Sequence, residues 1–388
     1  MRIIHWNISY NAKKELIAAK LSDDLLREDT VICLLEVTKT TYSYLREEFG
    51  DRYRFVYSLD YRLPGDYDSK GRKLGVLIIV PVNYRVINCG VFRRAPYPDR
   101  TAFVILQDEA GRFLRILSLH SVAGCNFLRG KSVQFDSFAE IVKSFTPDIV
   151  TIDANEPRID HWDINQMEFF DNRDKGKGAK TFFTSIAENG MTDAYSCVYD
   201  KDSFVPGEYL ATSHLVSRGE KRERRYDFIF VHSGCFKVRE CSYSYEEARQ
   251  ASADHAIVRA ELEIMNKEGE LYHEVSSKET IIQERMSVCR FWHGEDKCDK
   301  QVASYERLWV NLIDEDPEYL QYLINGYIQR GLELFSLDDG VPIGLKALLF
   351  NRYEHWSSGY EDIVGGFKNW YFSDYLCQKE KAHIIERT

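Results

Sequence analysis

Short apolar runs, several with a polar side chain at or near an end, constrain the fold of this chain more than any other feature. Between residue 1 and about residue 264 they are Arg2 to Ile8, Val31 to Val37, Tyr53 to Ser58, Gly75 to Val80, Thr101 to Gln107, Phe113 to His120, Asp148 to Asp153, Tyr226 to His232 and Ala256 to Ile264. They are rich in Val, Ile, Leu and Phe, and several are unbroken, as expected of strands covered on both faces. Helical spacing intervenes at Ala12 to Glu28, Thr38 to Phe49 and Lys131 to Phe145, where Ile141, Val142 and Phe145 make one apolar stripe. Two sheets packed face to face with helices outside would satisfy this order. With 388 residues, 44% of them hydrophobic, the chain can bury such a core and still supply a second unit.

The strand pattern stops near Met265, and the remainder of the chain has helical character. Asp316-Pro317-Glu318 places a cap before proline at a first helical position, with Leu320, Leu323, Ile324, Tyr327 and Ile328 on one face. Further helices are expected from Ile343 to Tyr353 and from Tyr360 to Leu376. The expected division is therefore an α/β unit over residues 1–264 and a mainly helical accessory unit over residues 265–388. Charge divides along the same line. Residues 1–265 hold 37 basic and 39 acidic side chains, residues 266–388 hold 14 and 22, so the second part argues against a nucleic-acid-binding tail.

No apolar run approaches the roughly 20 residues that span a bilayer, so no membrane role is expected. Met1 to Asn7 reads as a strand, without the apolar stretch and small-residue cleavage site of a secretory signal, and the 9 cysteines are scattered and odd in number. Both features lead to the expectation of a reducing cytoplasm.

The strand ends carry the chemistry. Asn7 closes the first strand, Glu36 the second and His120 the strand Arg115 to His120. Asp153 and Asn155 close Ile149 to Asn155, Asp227 opens the strand after Arg225-Tyr226, and Asp254-His255 stands before the last. Singly, acidic residues and Asn at strand ends commonly only bind turn backbone. Together, hard oxygen donors and imidazoles are what attack of water on a phosphodiester requires.

In this order, Trp6-Asn7, Leu35-Glu36, Leu119-His120-Ser121, Asp153-Ala154-Asn155, Tyr226-Asp227-Phe228-Ile229 and Ser252-Ala253-Asp254-His255 resemble the endonuclease/exonuclease/phosphatase superfamily. The second histidine, His120, looks like the pancreatic-type deoxyribonuclease and neutral sphingomyelinase branches, and Ala211-Thr212-Ser213-His214 is also similar to the deoxyribonucleases. Two departures are Ile152, where relatives usually have Gly, and Ala253, which interrupts Ser-Asp-His. The resemblance implies a four-layered αββα sandwich. It also implies Mg²⁺ or Mn²⁺ held by Glu36 with Asn7 and Asp254, and Asp153 or His255 deprotonating water. Asn155 would donate to the oxyanion, Asp227 would orient an imidazole, and His120 would bind phosphate or protonate the leaving oxygen.

Basic residues flank these strand ends: Arg72-Lys73, Arg93-Arg94 and Arg100; Arg173, Lys175, Lys177 and Lys180; Arg218, Lys221, Arg222, Arg224 and Arg225. Arg100, Lys175, Lys177, Lys180 and Arg225 are the expected phosphate contacts, Arg100 as a bidentate clamp. Gly176 and Gly178 between the lysines suggest a mobile loop. The clusters favour a nucleic acid, DNA before RNA, cut by a nicking endonuclease. The alternative is a phosphoesterase for a lipid headgroup or a small phosphorylated molecule. Cys289, His293 and Cys298 make an incomplete zinc set. Residues 265–388 are expected to serve self-association, partner binding or target selection.

Overall fold

The computed structural model describes residues 1–265 without positions 28, 62–72, 93–94, 96, 124–127, 171–176 and 217–221. The expected helical unit, with its Cys289, His293 and Cys298, lies outside the described residues.

Two six-stranded sheets are present among the described residues. The first is built on β1 (Arg2–Asn7), parallel to β2 (Thr30–Val37) and antiparallel to β14 (Ile257–Ile264). It is completed by β4 (Gly75–Pro81), β3 (Tyr53–Tyr57) and, at the other edge, β13 (Phe236–Ser244). The second runs β5 (Arg85–Gly90), β6 (Thr101–Gln107), β7 (Phe113–His120), β8 (Ile149–Asp153), β12 (Asp227–His232) and β9 (Met191–Asp193).

Strand alternation sorts the apolar side chains into three layers. Ile3, Val31, Cys33, Val76 and Ile78 from the first sheet share a core with Ala102, Val104, Ile116, Ile149 and Ile229 from the second. Their neighbours Ile4, Trp6, Ile32, Leu34 and Leu77 face the other way, onto Ile17 and Leu21 of α1 (Lys14–Ser22) and Tyr42 and Leu45 of α2 (Lys39–Phe49). Leu117, Leu119, Val150, Ile152, Phe228 and Phe230 likewise turn to α3 (Leu128–Phe145) and α4 (Lys177–Glu188). Each central strand is thus buried on both faces, which is why the runs read as unbroken. The described residues form the expected sandwich of two sheets between helices.

The structure departs from expectation where polarity hides an element. β13 carries Lys237, Arg239 and Glu240 as a charged edge strand and was not legible as one. From Lys177 the chain is helix where a mobile loop was expected, while Gly176 lies outside the described residues. A Cβ at Gly178 would stand 2.2 Å from the Ser132 carbonyl oxygen of α3, so glycine there is the condition for the two helices to meet. The helix expected from Ala12 to Glu28 ends at Ser22. Asp24 just beyond it is buried and accepts from Arg2 and Arg259, which holds the chain in a turn.

Candidate active site

Sheet register alone puts three polar strand ends in one row. In the parallel pairing of β7 with β8, His120 stands opposite Asp153, and in the antiparallel pairing of β12 with β8, Asp227 stands opposite the same residue. The first sheet meets this row from across the sandwich. Asn7 Nδ2 donates to Asp153 Oδ2 at 3.0 Å, and His5 Nε2 lies 3.1 Å from Asp227 Oδ1. Glu36 comes directly after Leu35, the partner of Asn7, at an irregularity of β2 where φ is 57°. Such a bulge re-aims a side chain, and here Glu36 Oε1 comes 3.8 Å from His120 Nε2. Asn155, also left-handed with φ 50°, donates its backbone N–H to Asp153 Oδ1 at 3.0 Å.

Asp153 Oδ2 is the centre of the arrangement. It lies 3.7 Å from His120 Nε2 and 3.9 Å from His255 Nε2. Those gaps exceed a hydrogen bond, so the three groups converge without direct pairing. His255 Nδ1 donates to Asp227 Oδ2 at 2.7 Å. His214 stacks on His255 with ring centroids 4.5 Å apart, and its Nδ1 donates to the Asp254 carbonyl oxygen at 3.0 Å.

Electrostatics divide the titratable groups into roles. Burial pulls the His255 imidazole down, but Asp227 and Asp153 outweigh it and raise it to about 10, so the ring is an imidazolium. Burial would raise the Asp227 carboxyl, yet His255 and His5 bring it below its ordinary value. Burial raises Asp153, partly offset by His255. Burial, and then the charge of Arg100, lower His120 well below the usual range and leave it neutral. Burial raises Glu36 against the opposing charge of Arg100.

The donor set fits a divalent cation. Burial raises Glu36 and Asp153 against the charges of Arg100 and His255, Asp227 is paired with His255 and His5, and the oxygens of all three carboxylates are hard donors. Glu36 with the Asn7 side-chain oxygen would hold the ion at the ends of the two parallel strands. Asp254 is exposed and groups with His214 and His255, whose ligand atoms and its own lie within 4.8 Å of one another. A second such group is Asp153, Asp227 and His255, and among the described residues neither includes Glu36. Asp254, expected beside Glu36, has the two stacked imidazoles as its partners in such a group.

The expected phosphate contacts divide. Arg100 is at the site, its Nη1 donating to the Ser121 carbonyl oxygen at 3.1 Å. Lys180 is exposed on α4. Arg225 is corrected: it is fully buried, with Nε and Nη2 each 2.8 Å from Asp160, Nη1 on Asp193, and the guanidinium over the Phe228 ring. No face remains for substrate. Lys175 and the side chain of Lys177 lie outside the described residues, as do Arg72, Arg93, Arg94, Arg173, Arg218 and Lys221.

Two residues at the site were missed as candidates. His5 is wholly buried, and its signal was a polar residue two positions before Asn7, on the same side of an apolar strand. His214 was visible only within the run Ala211 to His214.

No family model matches the chain, and no curated protein matches it. Solved structures do. An endonuclease/exonuclease/phosphatase from Bacteroides vulgatus aligns over 68% of this chain and 98% of its own, with 18% identity and a TM-score of 0.46. TDP2 of D. rerio, in complex with a single-strand DNA product, aligns over 68% and 98% with 13% identity and a TM-score of 0.47. The human Nocturnin catalytic domain with a bound sulfate anion aligns over 68% and 94% with 14% identity and a TM-score of 0.47. The chain is thus similar to solved structures described as endonuclease/exonuclease/phosphatase proteins, the superfamily its motifs resemble.

Proposed function

We propose that this chain is a divalent-metal-dependent phosphodiester hydrolase that uses water as nucleophile. One observation carries the reading: Asp153 Oδ2 is centred between two imidazole nitrogens at 3.7 and 3.9 Å, with Glu36 beside one of them. His255 is held protonated and cannot accept a further proton. Asp153, raised by burial, is then the base that we propose orients and deprotonates the water, a reading that the charge pairing of His255 favours. His255 and Arg100 hold the phosphate oxygens, and the Asn155 side-chain amide donates to the charge that develops on them. His120, kept neutral, offers a ring nitrogen to the ester oxygens. A bound Mg²⁺ or Mn²⁺ would supply Lewis-acid polarisation of the phosphate.

The substrate we propose is DNA, nicked internally. Arg222 and Arg224 support a polyanion: they lie on β11 (Arg222–Arg224), which pairs with β10 (His214–Val216), the strand whose His214 stacks on His255. Among the described residues no helix is long and apolar enough to cross a membrane. Cys33, Cys89, Cys197, Cys235 and Cys241 are free thiols, which agrees with the cytoplasmic setting that we propose. Residues 265–388 are proposed as a helical accessory unit that selects targets or restrains the nuclease, and their deletion should change activity, specificity or assembly.

Supercoiled plasmid incubated with Mg²⁺, with Mn²⁺ and with chelator, beside Asp153→Ala, tests the reading. Metal-dependent nicking absent from the variant is expected. Hydrolysis of a lipid or small-molecule phosphodiester, with plasmid untouched, would replace DNA with the alternative substrate class.

A further inference from the structure

Helix α3 grips the site from behind with two side chains one turn apart. Lys131 is buried, its side chain only 2% exposed, and its Nζ donates to the Asn155 carbonyl oxygen at 2.7 Å and to Glu156 Oε1 at 2.8 Å. Glu156 Oε2 in turn accepts from the Phe170 backbone N–H at 3.0 Å. Gln134, three residues on and so on the same helix face, donates from Nε2 to the His120 carbonyl oxygen at 3.1 Å and accepts from the Val122 N–H at 2.7 Å. The two loops held this way are those that leave β7 after His120 and β8 after Asp153.

A buried ion pair is poor stabilisation, because desolvating both charges offsets their attraction, and an apolar pair of like volume would serve a core as well. What an apolar pair cannot do is fix a carbonyl. Asn155 is left-handed, a conformation that Asn adopts more readily than other side-chain-bearing residues and that fixed partners must hold in place. Its carbonyl, received by a charge-assisted donor, sets the peptide plane and hence where the side-chain amide points. Gln134 does the same for the backbone that carries His120, with both of its amide groups used.

We propose that Lys131 and Gln134 are positioning residues, and that α3 clamps the His120 and Asn155 loops in the mutual register the reaction needs. The catalytic part of this inference rests on the hydrolase reading above; the clamp itself does not.

The full chain would be compared with Lys131→Met/Glu156→Gln, which removes the ammonium without stranding a buried carboxylate, and with Lys131→Arg as the conservative variant. Turnover of bis(4-nitrophenyl) phosphate gives kcat and KM at saturating Mn²⁺, thermal unfolding reports folding, and the Asn155 side-chain amide is tracked by NMR, assigned by its loss in Asn155→Ala. The double variant is expected to stay folded, to lose about 100-fold in kcat, as a misplaced group does, and to change KM by less than about threefold. Lys131→Arg should recover part of kcat. The loss should vanish when Asn155→Ala is already present, since Lys131 acts through that residue. An equal loss in the Asn155→Ala background, or an unchanged kcat, would overturn the proposal. If the double variant does not fold, Gln134→Met takes its place: a fall in kcat at little-changed KM is expected, and an unchanged kcat would overturn the proposal. If the wild-type chain hydrolyses no phosphodiester, the hydrolase reading fails, and the clamp stands or falls on whether the Asn155 amide resonance moves in Lys131→Met/Glu156→Gln.

Discussion

Asp227 Oδ2 lies 2.7 Å from His255 Nδ1, inside a site where neither partner is more than slightly exposed. The other oxygen of the same carboxylate lies 3.1 Å from His5 Nε2, so one anion orients two rings. Against burial, this pair raises the His255 imidazole, and in the function proposed above that leaves Asp153 as the base.

The pair gives stability a pH signature. His255 is raised from its ordinary 6.5 to about 10, so its share of stability is complete below about 6.5 and is lost as pH rises towards 10. Asp227 is lowered from 3.8, so its share is present above that value and is lost as pH falls through the lower folded value. The difference in unfolding midpoint between the wild type and Asp227→Asn should be widest between about pH 4 and 6.5 and should shrink towards both ends. A difference independent of pH would show that the pair is not ionised. The same variant should lower kcat between roughly 100- and 10,000-fold, in line with losses of an orienting carboxylate elsewhere.

Asp153→Ala, His120→Ala and His255→Ala should each abolish hydrolysis with the fold retained, as far-ultraviolet circular dichroism would show. Asn155→Ala removes an oxyanion donor and should cost about 3 to 4 kcal/mol in the barrier, read as a kcat loss of roughly 100- to 1,000-fold. Wild-type rates in all four variants would refute the site.

Arg225→Ala should act on stability rather than on binding. It strands the buried carboxylates of Asp160 and Asp193, and breaking such a network costs about 3 to 5 kcal/mol. Urea titration should show that loss, while the salt dependence of DNA binding by the folded variant stays that of the wild type. A reduced salt slope would restore Arg225 as a phosphate contact.

Gly178→Ala forces a methyl group against the Ser132 carbonyl, a backbone atom that can yield only if α3 and α4 separate. Overpacking of this kind costs about 1 to 3 kcal/mol. A clear fall in the thermal midpoint is expected, and an unchanged one would mean that the helices are not tightly apposed.

Most of the strand framework was legible because burial on both faces leaves a local trace. Thr101–Gln107 and Phe113–His120 read as unbroken apolar strands and are found with those bounds. β13 and α4 were not legible, one because an edge strand carries charges, the other because a glycine required by helix packing looks like a loop. The site divides in the same way. Asn7, Glu36, His120, Asp153 and Asp227 announce themselves as polar ends of apolar runs, a property of a few adjacent residues. Whether an arginine meets solvent or two aspartates, as separates Arg100 from Arg225, is set by segments far apart in the chain. So are the pairing of His5 with Asp227 and the grip of Lys131 on Asn155. Local sequence determines which backbone conformation a segment prefers and which of its sides must be buried. Desolvation and charge pairing depend on which distant segments the folded sheets bring together, and so the tertiary structure alone decided which groups are ionised and which can touch a substrate.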